Sequence, residues 1–421
     1  MGRNLPPFAP AGRHSRHNRL MPPRVWLGLV AVSAMAADVT PGAIRIARIR
    51  YQTARNLTRI PNYTCTQTIE RSTRRARGRR FLLTDTLRLE VALVDGNELF
   101  AWPGAGKFED KKISDIVGGG TIGNGSFALH ARSVFMSGSP RFEFDGERQR
   151  DGRAVFRYEY HVPVNLSGYE IKVGAASARV AYSGWFEIDA QSLDLIELNV
   201  TAREIPSTLA IQSATDTMRY KRFRIGESDS LLPESSELVM TDLDGNENRN
   251  VTRFDACRQY AGESVLSFGD PDSIVDKTAP VTEAVELPVG MGIETALDTP
   301  VRFGMAIGDL IAGRLSAPAK HKGRVMIPKG AMVHARITKL EKGYARTEVL
   351  RIGLKLEEIE FPGAKARPRA ILEDAGPTVY RNIKIGIDRQ GVIWLTGNQP
   401  ELSRGIRLLW RVADTAAKEN P

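Results

Sequence analysis

The chain has 421 residues, of which 42% are hydrophobic and 26% are charged, and its formal net charge is +10. This composition is typical of a globular protein with buried cores, and the length allows two or three domains. Two cysteines and a few scattered histidines do not supply the clustered ligands of a zinc site, so we predict no metal.

Residues 1–36 have the three parts of a secretory signal peptide. Five arginines and no acidic residue come first, the apolar run VWLGLVAVSA follows, and Ala34-Met35-Ala36 supplies a cleavage signal. The run is too short for a transmembrane helix, which needs about 20 residues. A buried N-terminal helix is the alternative, and Met21 is an alternative start. We expect export to the periplasm or the outer envelope. Loss of the leader would lower the net charge to +5, because it holds five of the 59 basic residues and none of the 49 acidic ones.

Residues 37–268 are predicted to form the first domain. A helix is expected over residues 40–58, because Thr40 can cap it, Pro41 suits its first turn and apolar residues recur every three or four positions. Beyond it, about ten segments alternate with a period of two and are joined by turns such as Asp95-Gly96. This pattern predicts a mainly β fold of antiparallel strands and argues against alternating βαβ units.

Two helix-like segments at 111–137 interrupt these strands and flank the glycine-rich stretch GGGTIGNG. Its G-x-G-x-x-G spacing, with Glu143 twenty residues further on, matches the dinucleotide-binding fingerprint. That fingerprint requires a buried parallel strand and a βαβ unit, whereas Glu143 lies in an alternating hairpin strand. We therefore predict no cofactor. We interpret the glycines as a hinge between the two helices, formed by Gly118, Gly119, Gly120 and Gly123.

The second half of the chain is predicted to be a separate β domain. Residues 269–285 are polar, contain two prolines and have no period, which is typical of a linker. From 286 to 421 the alternating pattern returns. Two turns of the form [LI]-P-x-G lie 40 residues apart, at Pro288 and Pro328, and each precedes an alternating strand. We expect a compact β-barrel over 286–421.

Cys65 and Cys257 are the two cysteines of the chain. In an oxidising compartment the simple interpretation is one disulfide between them, and two buried free thiols are the alternative.

The stretch RSTRRARGRR at 71–80 contains six arginines and joins two predicted strands. Its functional interpretation is an anion contact, to phospholipid or lipopolysaccharide, with peripheral attachment to a membrane. The alternative is a solvated loop. Nucleic acid is not predicted as a partner, because no aromatic residue lies between the arginines. The proposed contact residues are Arg74, Arg75, Arg77, Arg79 and Arg80.

No catalytic residues are predicted, because the chain has no G-x-S-x-G, H-E-x-x-H or S-x-x-K signature. A hydrolase would require His130, His161 and acidic residues to converge in the fold.

The order of elements in residues 40–268, a helix, strands, central helices and more strands, resembles the open half-barrel of periplasmic lipoprotein-carrier and sorting proteins. The segments NYTCTQTIER and RFDACRQYAGESVLSF also resemble exported bacterial proteins of unknown function. The IPKG turn and its surroundings in residues 286–412 resemble the periplasmic β-barrel of type IV secretion and conjugation scaffold proteins, whose proline-rich arm and membrane anchor are missing here.

The first resemblance implies a curved sheet that holds acyl chains under helices. We therefore predict a non-enzymatic cell-envelope protein that binds a lipid or lipoprotein. The alternative is an assembly or scaffold module that contacts other envelope proteins. Four apolar residues of the central helical insert are predicted to face the core or the ligand: Phe127, Leu129, Val134 and Phe135.

Overall fold

The computed structural model describes residues 40–105, 108, 113–117, 120–123, 125–260, 283–344 and 347–414. The predicted signal peptide lies outside these residues, and so does the predicted linker except for its last three positions. The described residues from Gly42 onward belong to one compact unit. None of the described helices is both long and apolar enough to cross a membrane.

The predicted first domain contains an open, curled antiparallel half-barrel, which confirms the predicted fold class. Among the described residues its sheet has ten strands in the order β3-β2-β1-β12-β11-β10-β9-β8-β5-β4, and β6 and β7 form a small separate hairpin. The strands are β1 Tyr63–Arg74, β2 Leu82–Val94, β3 Asn97–Ala101, β4 Arg141–Arg150, β5 Arg153–Val162, β6 Glu170–Val173, β7 Ala176–Arg179, β8 Ala181–Asp189, β9 Leu195–Arg203, β10 Ile211–Ile225, β11 Ser228–Asp242 and β12 Glu247–Gln259.

Three α-helices accompany this sheet in the described part of the chain: α1 Pro41–Arg59, α2 Ile113–Ile116 and α3 Leu129–Met136. Two short 3-10 helices, Val164–Leu166 and Ser207–Leu209, lie in connections between strands. The buried face of α1 packs into the same apolar cluster as α3 and the concave side of strands β5, β8, β9 and β10. Side chains of a strand alternate between its two faces, so the alternating sequence gives this sheet one apolar side. The helices cover that side.

A disulfide between Cys65 and Cys257 joins β1 to β12, as the sequence predicts. It closes a loop with a sequence separation of 192 residues. In the chain-entropy view, a loop of this length contributes up to about 5 kcal/mol to the free energy of unfolding.

The second sheet is a roll whose main path is β22-β27-β14-β16-β19-β20-β25-β24-β23. Strands β22 and β24 approach each other where the roll turns back on itself. Its strands are β13 Glu283–Ala284, β14 Gly292–Leu297, β16 Leu310–Leu315, β19 Met332–Tyr344, β20 Glu348–Phe361, β21 Ala364–Ala366, β22 Ala370–Ala375, β23 Val379–Tyr380, β24 Ile383–Ile387, β25 Ile393–Gly397 and β27 Arg407–Val412. Two separate two-stranded sheets accompany it: β15 Val301–Arg302 pairs with β26 Glu401–Leu402, and β17 Ala319–His321 pairs with β18 Arg324–Ile327.

The two P-x-G turns have the same local structure. Gly290 and Gly330 have φ values of 83° and 86°, in the left-handed region where glycine is favoured. In each turn the residue after the glycine donates its N–H to the proline carbonyl, at 3.2 Å for Met291 and 3.4 Å for Ala331. Strands β14 and β19 begin directly afterwards.

The two sheets are joined by backbone and side-chain contacts. Ile307 exchanges backbone hydrogen bonds with Thr86 and Arg88 of β2, at 2.7 and 2.8 Å. Arg88 forms an ion pair with Asp309. The side chain of Arg336, which is only 2% exposed, donates to the carbonyl oxygen of Pro103 across the junction. The predicted half-barrel and roll regions therefore share an extensive interface.

Candidate functional site

The candidate site is the space between the concave face of the half-barrel and residues 125–136, which we call the cover. Glu98, at the start of β3, accepts hydrogen bonds from the backbone N–H groups of Gly125 at 3.2 Å, Ala128 at 2.9 Å and Leu129 at 3.2 Å. The first N–H groups of a helix have no partner within it. Ala128, the N-cap of α3, has no side-chain hydrogen bond to offer, so the Glu98 carboxylate takes that role.

A second carboxylate holds the cover from the centre of the sheet. Ser126 donates its hydroxyl to Oδ2 of Asp216 at 2.6 Å, and Nε2 of His130 lies 3.8 Å from the same oxygen. Asp216 is 2% exposed, and its Oδ1 has no hydrogen-bond partner within the described part of the chain. Further along α3, the hydroxyls of Ser133 and Tyr182 are 2.5 Å apart. Polar groups of the sheet therefore hold the cover both just before α3 and within it.

Burial shifts the titration of these groups. It raises the pKa of both Glu98 and Asp216 above their ordinary values, and the charge of Asp216 raises the pKa of Glu98 further. Burial lowers the pKa of His130, although the nearby Asp216 carboxylate acts in the opposite direction. Burial also raises the pKa of Tyr63 and Tyr220, whose hydroxyls have no partner among the described residues. The cover therefore closes over ionisable groups that are poorly solvated.

Three of the four predicted ligand residues lie in the interior. The Phe127 ring packs between Tyr63 and Phe254, with centroid distances of 4.8 and 5.1 Å. Phe135 packs edge-on against Phe186 at 4.9 Å, and Val134 beside it is fully buried. Leu129 is 40% exposed and points away from this cluster. A role of these residues in ligand binding stays a prediction.

Little space remains beneath the cover among the described residues. The cavity between α1, the cover and the sheet has a volume of about 10 Å³ and is lined by residues including Leu57, Tyr63, Ala131 and Tyr220. A single water needs about 10–15 Å³ of such space. An acyl chain could therefore enter only if the cover moved outward.

The predicted glycine hinge lies only partly within the described residues, because Gly118 and Gly119 fall outside them. Gly120 has a φ of 79°, and an added Cβ would collide with the guanidinium of Arg71. An added Cβ on Gly123 would lie 2.8 Å from Cδ2 of Leu238. The positive φ favours glycine at position 120, whereas at position 123 the flexible end of the Leu238 side chain could shift to admit a Cβ. Their role as a hinge stays a prediction.

The predicted anion-contact residues lie at the tip of the β1–β2 hairpin. Arg74 forms an ion pair with Glu247 and stacks over Phe81, with 4.6 Å from its guanidinium carbon to the ring centroid. The other four arginines are exposed, and none has a carboxylate within ion-pair distance among the described residues. They are Arg75, Arg77, Arg79 and Arg80.

His130 and His161 do not converge. His130 lies beside Asp216, whereas His161 is exposed on β5. Ser126 bonds directly to the Asp216 carboxylate, so the histidine does not stand between the hydroxyl and the acid as it does in a catalytic triad. The described residues contain no group of three or more metal-ligating side chains.

Sequence reasoning missed Glu98, Ser126 and Asp216. Asp216 carried a usable signal, because it alternates with Ala214 and Met218 and so lies on the apolar face of β10. Glu98 follows the Asp95-Gly96 turn, where an acidic residue is expected to face solvent.

No family model matches the chain, and no curated protein matches its sequence. Some solved structures are similar to about half of the chain. One is an outer membrane lipoprotein-sorting protein domain from Vibrio parahaemolyticus, which is 14% identical in sequence. The match covers 51% of this chain and 92% of that chain, with a TM-score of 0.29. A LolA superfamily protein from Nitrosomonas europaea has 11% identity, coverages of 51% and 93%, and a TM-score of 0.27. A DUF1329 family protein from Desulfovibrio piger has 10% identity, coverages of 52% and 95%, and a TM-score of 0.28. At these TM-scores the likeness supports no statement about what this chain binds. The resemblance of residues 286–412 to a secretion barrel stays a prediction.

Proposed function

We propose that the chain is a non-enzymatic protein of the cell envelope that binds an apolar or acyl ligand, from a lipid or a lipoprotein, between the half-barrel and its cover. The observation that carries the proposal is the way the cover is held. Its polar contacts to Glu98 and Asp216 can be exchanged for water, whereas the surface beneath it is apolar and aromatic.

The energy of acyl burial is sufficient to open such a cover. Each buried CH₂ group contributes about 0.8 kcal/mol, so a chain of a dozen carbons contributes on the order of 10 kcal/mol. Removal of Phe127, Val134 and Phe135 from the interior costs about 1.5–3 kcal/mol for each side chain, which is less in total than the gain from the acyl chain. In the open form, water solvates the carboxylates of Glu98 and Asp216, which offsets part of the free energy that is lost with their hydrogen bonds to the cover. A ligand in place of the α3 side chains is therefore energetically reasonable.

Titration with a fluorescent fatty acid tests this proposal. In the Phe135→Ala variant the ligand no longer has to displace the ring, so we expect the affinity to rise about tenfold relative to the wild type. Met136→Ala is the matched control, because Met136 lies on the same helix and is 39% exposed. Phe135→Leu serves if the alanine variant unfolds. Absence of saturable binding in both the wild type and the folded Phe135 variants would contradict the proposal.

The filled interior favours a second candidate function, that of an assembly module whose surfaces only contact other envelope proteins. In that case affinity-purified protein would retain stable protein partners and no lipid, and Phe135→Ala would change stability alone.

A further inference from the structure

We propose that the tip of the β1–β2 hairpin, together with the adjacent tip of the β11–β12 hairpin, docks on the surface of an anionic lipid bilayer. The docking surface consists of Arg75, Arg77, Arg79, Arg80, Leu82 and Leu243. Docking by this surface does not depend on ligand binding in the half-barrel.

The two hairpin tips are held side by side. The backbone N–H of Ala76 donates to Oδ1 of Asn246 at 3.3 Å, and Arg74 is paired in register with Glu247. The β1–β2 tip is also closed on itself, because the N–H of Gly78 donates to the carbonyl oxygen of Arg75 at 2.7 Å. The arginines therefore project from a fixed platform, which reduces the ordering cost of binding.

The charge of this surface is available to a partner. Glu247 neutralises the charge of Arg74, so Arg74 does not belong to the docking surface. The Asp242 carboxylate accepts two hydrogen bonds from Asn246. Asp244 is the exposed acid in the β11–β12 tip, and it opposes four exposed arginines. A net positive charge remains on the surface.

Exposed apolar side chains accompany this charge. Leu243 is 60% exposed in the β11–β12 turn, and Leu82 is 44% exposed at the start of β2. Arginines beside exposed leucines at a protruding tip suit the interface of a bilayer, where cations contact headgroups and leucines reach the acyl boundary. The choice of a bilayer over nucleic acid rests on these leucines and on the absence of exposed aromatic residues for base stacking among the four arginines.

Docking there would also orient the half-barrel. The guanidinium of Arg71, three residues before Arg74, lies next to Gly120, a described residue of the glycine-rich stretch. The end of the half-barrel where Gly120 lies would then face the lipid. This orientation rests on the proposed carrier function, whereas the docking itself does not.

Vesicle co-sedimentation with protein isolated from the cell envelope tests the docking. We expect binding to vesicles of phosphatidylcholine with about one third phosphatidylglycerol, and much weaker binding to pure phosphatidylcholine. Each arginine near an anionic surface contributes about fivefold, so replacement of the four arginines by glutamine should weaken binding on the order of a hundredfold or more. The double variant Leu82→Ser and Leu243→Ser should weaken it by a smaller factor at unchanged charge.

The matched control replaces four exposed arginines elsewhere, Arg224, Arg258, Arg324 and Arg389, by glutamine. It removes the same charge, and we expect it to retain most of the binding. Equal loss in the control, equal binding to neutral vesicles, or no binding by the wild type would overturn the proposal. Lipid found in the half-barrel of a protein that fails to bind vesicles would refute docking and leave the carrier function standing.

Discussion

The hydroxyl of Ser126 lies 2.6 Å from Oδ2 of Asp216 and donates to it, so a residue just before α3 is held by a buried carboxylate at the centre of the half-barrel sheet. This contact spans 90 positions of sequence. It is a direct polar contact between the cover and the concave face.

Ser126→Ala should loosen the cover. Loss of the hydroxyl removes a hydrogen-bond partner from the buried Asp216 carboxylate, and this lowers the stability of the closed cover by about 1–3 kcal/mol. We expect faster hydrogen–deuterium exchange in residues 125–136, with little change in strands β11 and β12. Ser137→Ala is the control, because the Ser137 hydroxyl donates to the carbonyl oxygen of Ser133 in α3 and has no hydrogen bond to the sheet among the described residues. Unchanged exchange of the cover in Ser126→Ala would contradict the role of this contact.

The stability of the closed cover should depend on pH through Glu98 and Asp216. Their pKa values are raised by burial, so the closed form binds protons more tightly than an open, solvated form. Their contribution to closure is complete below the ordinary carboxyl pKa of about 4, and it is lost as the pH rises through the raised values. His130 acts in the opposite sense, because its pKa is lowered. Its contribution is complete above about 6.5 and is lost as the pH falls through the lowered value.

Measurement of cover exchange against pH separates these two effects. In Glu98→Gln, the loss of protection as the pH rises should become smaller. In His130→Gln, the loss of protection on the acid side should become smaller, whereas the behaviour at higher pH should persist. Identical pH profiles for both variants and the wild type would show that these groups do not control the cover.

Loss of the Cys65–Cys257 disulfide should destabilise the half-barrel. The double variant Cys65→Ser and Cys257→Ser should lower the free energy of unfolding by up to about 5 kcal/mol, because the unfolded chain regains the freedom of a long loop. Denaturant unfolding measures this change. Peptide mapping without reduction should recover the linked pair from the purified protein, and labelling of both thiols would refute the link.

Arg336 should be essential to the junction between the sheets. It donates Nε and Nη2 to the Glu357 carboxylate at 2.6 and 2.7 Å and donates Nη1 to the carbonyl oxygens of Pro103 and Gly308 at 2.9 and 2.7 Å. Arg336→Met leaves these acceptors without their donor and should cost about 3–5 kcal/mol in thermal or denaturant unfolding. Arg389→Met, at an exposed position, should have almost no effect. A loss below about 1 kcal/mol for Arg336→Met would contradict this role.

The sequence predicts the local features of this fold well. The alternating segments become antiparallel strands, the helix expected over 40–58 is α1 at Pro41–Arg59, and both P-x-G segments form turns directly before strands. These features depend on near neighbours in sequence. The disulfide could also be predicted, because the chain offers only one pair of cysteines.

Long-range polar contacts could not be predicted in the same way. Nothing near Ser126 indicates that its partner is Asp216, and nothing near Arg336 indicates a contact with Pro103, which lies 233 positions away. The polar segment with two prolines predicts a linker between two domains, but nothing in it indicates that Ile307 and Arg336 join the two sheets directly. Such contacts depend on how the sheets curl and meet, which a local period does not encode.

The central claim is that the half-barrel opens its cover to hold an acyl chain. Native mass spectrometry of protein isolated from the cell envelope, followed by lipid extraction, tests it most directly. We expect a bound species with the mass of one acyl-bearing molecule, and we expect less of it in a variant with bulk added beneath the cover, Ala131→Phe. A folded wild-type protein that carries no lipid, and that takes up none from added fatty acid, would contradict the claim.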